Sequence, residues 1–194
     1  MSKKLTAVLA GMLIASLIGF GVTFALAAAG VEPMSSIWIV SGLIGGFVTL
    51  GLMNLAGNKP VTLADEKTRA AALSLTPPPG TGLVIVLREG FVGKAQGMDV
   101  TLNGRELAQL KSPRFTATTV PPGQYVLKAA FAGQMNLGSA PGTATFDLGS
   151  GQVALFRLTT AMKMTTSDVV LTHLEDPAAV VRKLAKTKMV AATA

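Results

Sequence analysis

The chain of 194 residues contains no cysteine and a single histidine. Without cysteine there are no disulfides, no thiolate metal sites, no cysteine nucleophile and no lipid attachment at a lipobox cysteine. A lone histidine with no cysteine beside it cannot assemble an ordinary zinc site. Aromatic residues make up 5% of the chain, with one tyrosine (Tyr125) and one tryptophan (Trp38). Binding of single-stranded nucleic acid relies on a basic stripe interleaved with stacking aromatics. That pattern is missing, so no nucleic-acid partner is expected. Charge is also missing over two long stretches, residues 5–31 and 33–58. Each exceeds the roughly 20 residues that cross a bilayer as a helix.

The sequence therefore predicts two transmembrane spans, about 5–29 and 36–56, forming a helical hairpin within residues 1–57. Lys3 and Lys4, the apolar run and Ala25-Leu26-Ala27 together outline a secretory signal. However, the run is much longer than the roughly 7–15 apolar residues of such a signal. A second span also follows at once. We read an uncleaved anchor, with a cleaved signal as the alternative. Lys3 and Lys4 precede the first span, Lys59, Lys67 and Arg69 follow the second, and the loop between carries only Glu32. The positive-inside rule then predicts a bacterial inner-membrane protein with both termini and the following domain in the cytoplasm. The alternative puts that domain in the periplasm.

Small residues recur every four positions along the first span: Ala7, Gly11, Ala15, Gly19, Thr23 and Ala27. The second span carries Gly42 and Gly46 as a GxxxG pair and Ser41 and Gly45 as a parallel small pair. In lipid, such rows let helix backbones approach closely, and van der Waals contact drives their association. Ala7, Gly11, Ala15, Gly19, Ser41, Gly42, Gly45 and Gly46 are thus candidate helix-packing positions. They would serve the hairpin itself, membrane protein partners or self-association. Trp38 suits the water interface at the start of the second span.

Residues 58–82 read as a linker. Asp65 and Glu66, followed by Lys67 and Arg69, suit a short helix aligned with its macrodipole. Pro77, Pro78 and Pro79 then end it. From 83 to 176 the chain reads as short strands with turn punctuation. Residues 83–87 form a continuous apolar run, the pattern of a strand buried on both faces. Met98, Val100 and Leu102 alternate with polar residues and lead into Asn103-Gly104, a tight-hairpin signal. Further strands are expected at 115–120, 124–132, 143–148, 152–160 and 168–175. The fold class is thus a membrane-anchored α plus all-β chain: a two-helix hairpin, an antiparallel β-sandwich of about seven strands and a short C-terminal helix.

That helix belongs to a basic segment, 177–194, opened by Asp176 as cap and Pro177 at the first position. Val180, Val181, Leu184 and Met189 suggest an apolar stripe. Arg182, Lys183, Lys186 and Lys188 surround it as a candidate membrane-surface patch. The stripe lies either on the lipid bilayer or on the domain. The part of the chain after residue 56 has fifteen Lys/Arg against nine Asp/Glu, a net +6, which suits attraction to an anionic leaflet.

Several motifs of the β region, namely Leu87-Arg88 with Phe91-Val92-Gly93, then 99–104 (Asp-Val-Thr-Leu-Asn-Gly), 120–125 (Val-Pro-Pro-Gly-Gln-Tyr) and 151–157 (Gly-Gln-Val-Ala-Leu-Phe-Arg), resemble a small bacterial β-sandwich family. It is a domain of unknown function often found in lipoproteins, with a middle similar to PEGA modules. The resemblance spans about 82–185 and implies a fold but no catalytic residues.

Little else suggests chemistry. Met162 and Met164 are soft ligands at i and i+2, yet such pairs are far more often packing residues. Ser167-Asp168 has no third partner in reach. Gly80-x-Gly82 and Gly149-x-Gly151 open no helix and are not phosphate loops. No cofactor and no enzymatic activity are expected. The functional expectation is a non-catalytic accessory or assembly subunit of a membrane complex. The alternative is a membrane-tethered module that recognises a soluble glycan or peptide on its sandwich.

Overall fold

A computed structural model describes residues 3–32, 36–133, 139–163 and 166–193. It divides into two compact units, one built on residues 1–57 and one on residues 58–194 apart from 133–135.

The first unit is a pair of helices, α1 (Lys3–Ala28) and α2 (Ser36–Leu55). Val8–Ala28 and Ser36–Leu55 are long and apolar enough to cross a membrane. A helix satisfies its own backbone hydrogen bonds, which lipid cannot do for it. Both helices expose large apolar side chains along their length, among them Leu17, Phe20, Phe24, Ile39, Leu43 and Phe47. These observations associate the chain with a membrane.

The second unit contains nine strands in two sheets among its described residues. The five-stranded sheet has the order β8-β7-β1-β4-β9, and the four-stranded sheet the order β3-β2-β5-β6. The strands are β1 (Gly82–Arg88), β2 (Met98–Leu102), β3 (Arg105–Leu110), β4 (Arg114–Val120), β5 (Gly123–Phe131), β6 (Gly142–Leu148), β7 (Val153–Met162), β8 (Ser167–Leu174) and β9 (Lys188–Met189). Asn103 and Gly104 both adopt positive φ, 48° and 78°. They close the β2–β3 hairpin as their side chains permit. Asn103 Oδ1 also accepts the Val126 N–H at 2.7 Å, tying the turn to β5.

Two apolar clusters flank the five-stranded sheet. Val84, Val86, Phe156 and Leu158 share one with Met98, Val100, Leu110, Leu127 and Ala129 of the four-stranded sheet. Leu83, Ile85, Leu87, Phe115 and Leu155 share the other with Ala72, Leu184 and Met189, which lie outside both sheets' long strands. β1 is therefore buried at every position, as its unbroken apolar run predicts.

The expected antiparallel arrangement of about seven strands needs correction. β1 pairs with β7 in parallel, and β4 with β9 in parallel. Hairpins impose antiparallel neighbours, but β1 and β7 are separated in the chain by β2–β6, so no turn fixes their mutual direction. The ninth strand lies inside the basic C-terminal segment. The short helix expected there is present as α4 (Val181–Ala185), preceded by a 3-10 turn at Ala178–Val180. Asp176 Oδ1 accepts the N–H groups of Ala178 and Ala179 and caps that turn. Of the two placements of the apolar stripe, the structure has the one on the domain: Leu184 is fully buried and Met189 nearly so.

Residues 58–82 belong to the same compact unit as the sheets. Asn58 Oδ1 accepts the Gly97 N–H at 2.6 Å, and the Lys59 N–H donates to Gln109 Oε1 at 2.7 Å. Ala64 N–H donates to Met189 O at 3.0 Å. The short helix is α3 (Glu66–Leu73). Its cap, Asp65, accepts the Thr68 N–H at 2.6 Å, and this bond holds the Asp65 carboxyl below the ordinary carboxylate range.

Candidate functional site

The helix-packing positions divide into two sets. A Cβ at Gly45 would stand 2.4 Å from Ala15 Cβ and 2.9 Å from Gly11 O. One at Gly11 would meet Thr49 Oγ1 and Cβ and Gly45 O, and one at Gly19 would press on the Trp38 ring at 2.7 Å. Gly11, Ala15, Gly19, Ser41 and Gly45 thus form the α1–α2 contact, with Ser41 buried in it. Trp38 continues the contact edge-on to Phe20, centroids 5.3 Å apart. Thr49 Oγ1 donates to Gly45 O at 2.8 Å. Gly42 and Gly46 lie elsewhere: a Cβ at either would meet no atom within 4 Å. The GxxxG pair is turned out of the hairpin. The side chain of Ala7 lies outside the described residues.

On the β unit, Arg182, Lys183, Lys186 and Lys188 are all exposed. Lys183 Nζ sits 2.5 Å from Glu89 Oε2. The segment's apolar side is spent on the sheet, so these four present charge and not an amphipathic face.

One buried charge has a structural role that sequence spacing does not reveal. Arg88, at the end of β1, is 1% exposed. Its Nη1 donates to Gln96 O at 2.5 Å and to Leu110 O, and its Nη2 to Gly93 O at 2.7 Å. A buried guanidinium thus replaces its lost water with carbonyl dipoles. It draws the 89–97 loop onto the sheet. Burial pushes its pKa down to about 10, which leaves it charged at neutral pH.

A cleft of about 590 Å³ opens between α3 and β4. Ala72, Ala117 and Met189 give it apolar surface, Thr118, Thr119 and Thr68 add hydroxyls, and Lys67 is the one charged residue lining it. The lining holds no carboxylate or imidazole. It suits recognition and offers no acid–base pair. No spacing in the sequence marks this cleft, because its walls come from segments some 50 residues apart.

Among the described residues, the remaining sequence candidates are scattered over the β unit and are not brought together into a site. The His173 ring lies against Phe156, centroids 4.9 Å apart. Asp168 pairs with Lys163 and accepts the Ala140 N–H. Met162 is exposed, and Met164 lies outside the described residues.

No protein-family model matches this sequence, and a search among curated proteins finds no match.

Proposed function

We propose that the chain is a non-catalytic accessory or assembly subunit of a bacterial inner-membrane complex. It docks on other membrane proteins through α2 and through its two-sheet domain, which we read as a sandwich. The observation that carries this reading is the division of small residues on α2. Gly45 and Ser41 are used inside the hairpin, while Gly42 and Gly46 face outward with open space above them. Small-xxx-small faces are where a second helix approaches, and the hairpin leaves this one free. The charge asymmetry around the spans supports a cytoplasmic β domain. The resemblance to envelope lipoprotein domains supports the same two-sheet architecture and leaves the side of the membrane to the charges.

Two measurements test this. The tagged chain, drawn from native membranes in mild detergent, is expected to bring membrane partners in near-equal amount. Gly42→Leu and Gly46→Leu are each expected to cut that recovery about tenfold, since overpacking a close helix contact costs roughly 1–3 kcal/mol. Equal recovery with these variants removes the intramembrane part of the proposal. For topology, the chain has no native cysteine, so Ser150→Cys in the exposed β6–β7 turn is a unique label site. It is expected to resist a membrane-impermeant thiol reagent in intact spheroplasts and to react after lysis. Labelling before lysis places the domain outside.

A further inference from the structure

The five-stranded sheet ends in an edge that its last strand only half covers. Leu83 N–H donates to Gln152 O at 2.9 Å and Glu89 N–H to Leu158 O at 3.0 Å, both on the β7 side. The odd-numbered residues of β1 therefore turn their backbone groups toward β7 and away from β4. Their partners in the antiparallel register are Phe115, Ala117 and Thr119, and in such pairs both residues turn outward together. Phe115 uses its outward carbonyl on the Val190 N–H at 2.7 Å. There the cover ends. Ala191 N–H donates to Thr62 O and Thr193 N–H to Leu107 O, so neither bonds β4, although Thr193 shares with Thr118 and Val120 the lining of a second cleft on the other side. Among the described residues no strand lies beside Ala117 and Thr119. Ala117 and Thr119 both line the 590 Å³ cleft, Ala117 buried at 7% exposure and Thr119 exposed.

A row of alternate backbone donors and acceptors specifies its occupant more narrowly than an apolar face does: it accepts another extended backbone. α3 walls the cleft opposite, and Pro77 and Pro78 line it without offering a backbone donor. The free stretch, residues 117–120, is matched by about four residues of extended chain at about 3.3 Å each. Lys67 is the only charge in the lining, on a domain of net +6.

We propose that the β4 edge, at Ala117 and Thr119, takes up an extended acidic segment of a partner protein as an added strand, with Lys67 contacting its carboxylates. This names the partner contact of the β domain and rests on the assembly reading above.

The test uses the full chain in detergent micelles. The probe is a fluorescent eight-residue peptide alternating Val or Thr with Glu. Thr119→Pro removes one outward N–H and leaves the ladder to β1 intact, since proline is tolerated on an edge. Lys67→Glu reverses the charge on an exposed helix position and leaves the edge unchanged. Saturable binding is expected for the parent protein. About tenfold weakening is expected with Thr119→Pro, and with backbone N-methylation of the peptide. Lys67→Glu is expected to weaken binding several-fold, with a loss of salt dependence. No saturable binding, equal binding of the N-methylated peptide, or equal binding of a Lys-substituted peptide each overturns the proposal. So does sedimentation showing that the chain dimerises through this edge and that the peptide does not compete, which assigns the edge to a second copy. The two readings fail separately. If Thr119→Pro keeps the co-purifying partners in full, the edge inference falls and assembly stands. Saturable peptide binding by a chain recovered alone leaves the edge standing without the assembly reading.

Discussion

Arg88→Ala is expected to lower the thermal midpoint of the β domain by roughly 10 °C. The substitution takes the guanidinium donors from the carbonyls of Gly93, Gln96 and Leu110, of which Gly93 O keeps the Gln96 N–H at 3.0 Å. A buried acceptor that loses its partner costs about 1–3 kcal/mol. Gly93 and Gln96 lie in one loop and Leu110 at the end of β3, all around one guanidinium, so their costs do not add in full. Water entering behind the 89–97 loop recovers part of the loss. A net destabilisation of about 3 kcal/mol follows, and for a domain of this size each kcal/mol moves the midpoint by about 3–5 °C. Arg88→Met tests whether volume alone suffices. It fills the space but donates nothing, and is expected to lie near the alanine variant. Arg88→Lys keeps the charge but lacks the planar fork that reaches separate carbonyls, and is expected to fall between. The sign of the pH dependence follows from the direction of the shift. Burial lowers the folded pKa to about 10, below the ordinary guanidinium value. The cost of burying this charge is then fully present below about pH 10 and is relieved only as the pH rises from about 10 toward the ordinary guanidinium value. The difference between parent and variant should therefore be the same at pH 6 and pH 8.5. Circular dichroism melts of the full chain in detergent decide the matter. A midpoint within about 2 °C of the parent for all three variants would show that the loop holds without the guanidinium.

Arg88 also shows where the sequence falls silent. Between Leu87 and Glu89 it reads as the polar end of an apolar strand. Only the folded chain brings the carbonyls of residues 93, 96 and 110 to one point, and two of the three lie in or beside a loop with no pattern. Elements with local physical causes were legible. The unbroken apolar run at 83–87 announces burial on both faces, and Asn103-Gly104 announces its turn through positive φ. Direction and partner were not. Parallel pairing of β1 with β7 depends on a route through another sheet, and β9 is two residues long. It exists because Met189 finds the cluster of Leu83, Ile85 and Phe115, which no window around residue 188 reveals. On α2 the spacing exposed two small rows, 41/45 and 42/46, but not their roles. One residue is a turn of about 100°, so the rows are neighbours on the helix surface. Only the placement of α1 decides which is covered. The motif with the familiar GxxxG spelling proved to be the uncovered one.

That decision has the second large consequence. Gly45→Leu is expected to pry the hairpin apart, and Gly42→Leu to leave it closed. A first carbon at Gly45 already stands 2.4 Å from Ala15 Cβ and 2.9 Å from the Gly11 carbonyl oxygen. Neither obstacle can rotate aside, because one is attached directly to backbone and the other is backbone. The helices must separate, and the van der Waals contact that holds them in lipid is lost along the row. Gly11 is less demanding in part. Its nearest obstacle is Thr49 Oγ1, a side chain that can turn away at the cost of its 2.8 Å bond to Gly45 O. Alanine is therefore expected to be worse at 45 than at 11, and harmless at 42 and 46, where open space waits. The chain carries its own reporter. Trp38 is its only tryptophan, and its ring lies over Gly19 and edge-on to Phe20. Its emission and anisotropy in detergent or bilayers thus read the α1–α2 contact without a label. Gly45→Leu should shift the emission and lower the anisotropy, while Gly42→Leu should match the parent. An unchanged Trp38 signal in Gly45→Leu would mean that α1 and α2 do not meet through this row. It would also return Gly42 and Gly46 to the hairpin as the remaining small face on α2. A shifted signal at 45 with an intact one at 42 leaves the outward pair free to meet a helix from another protein.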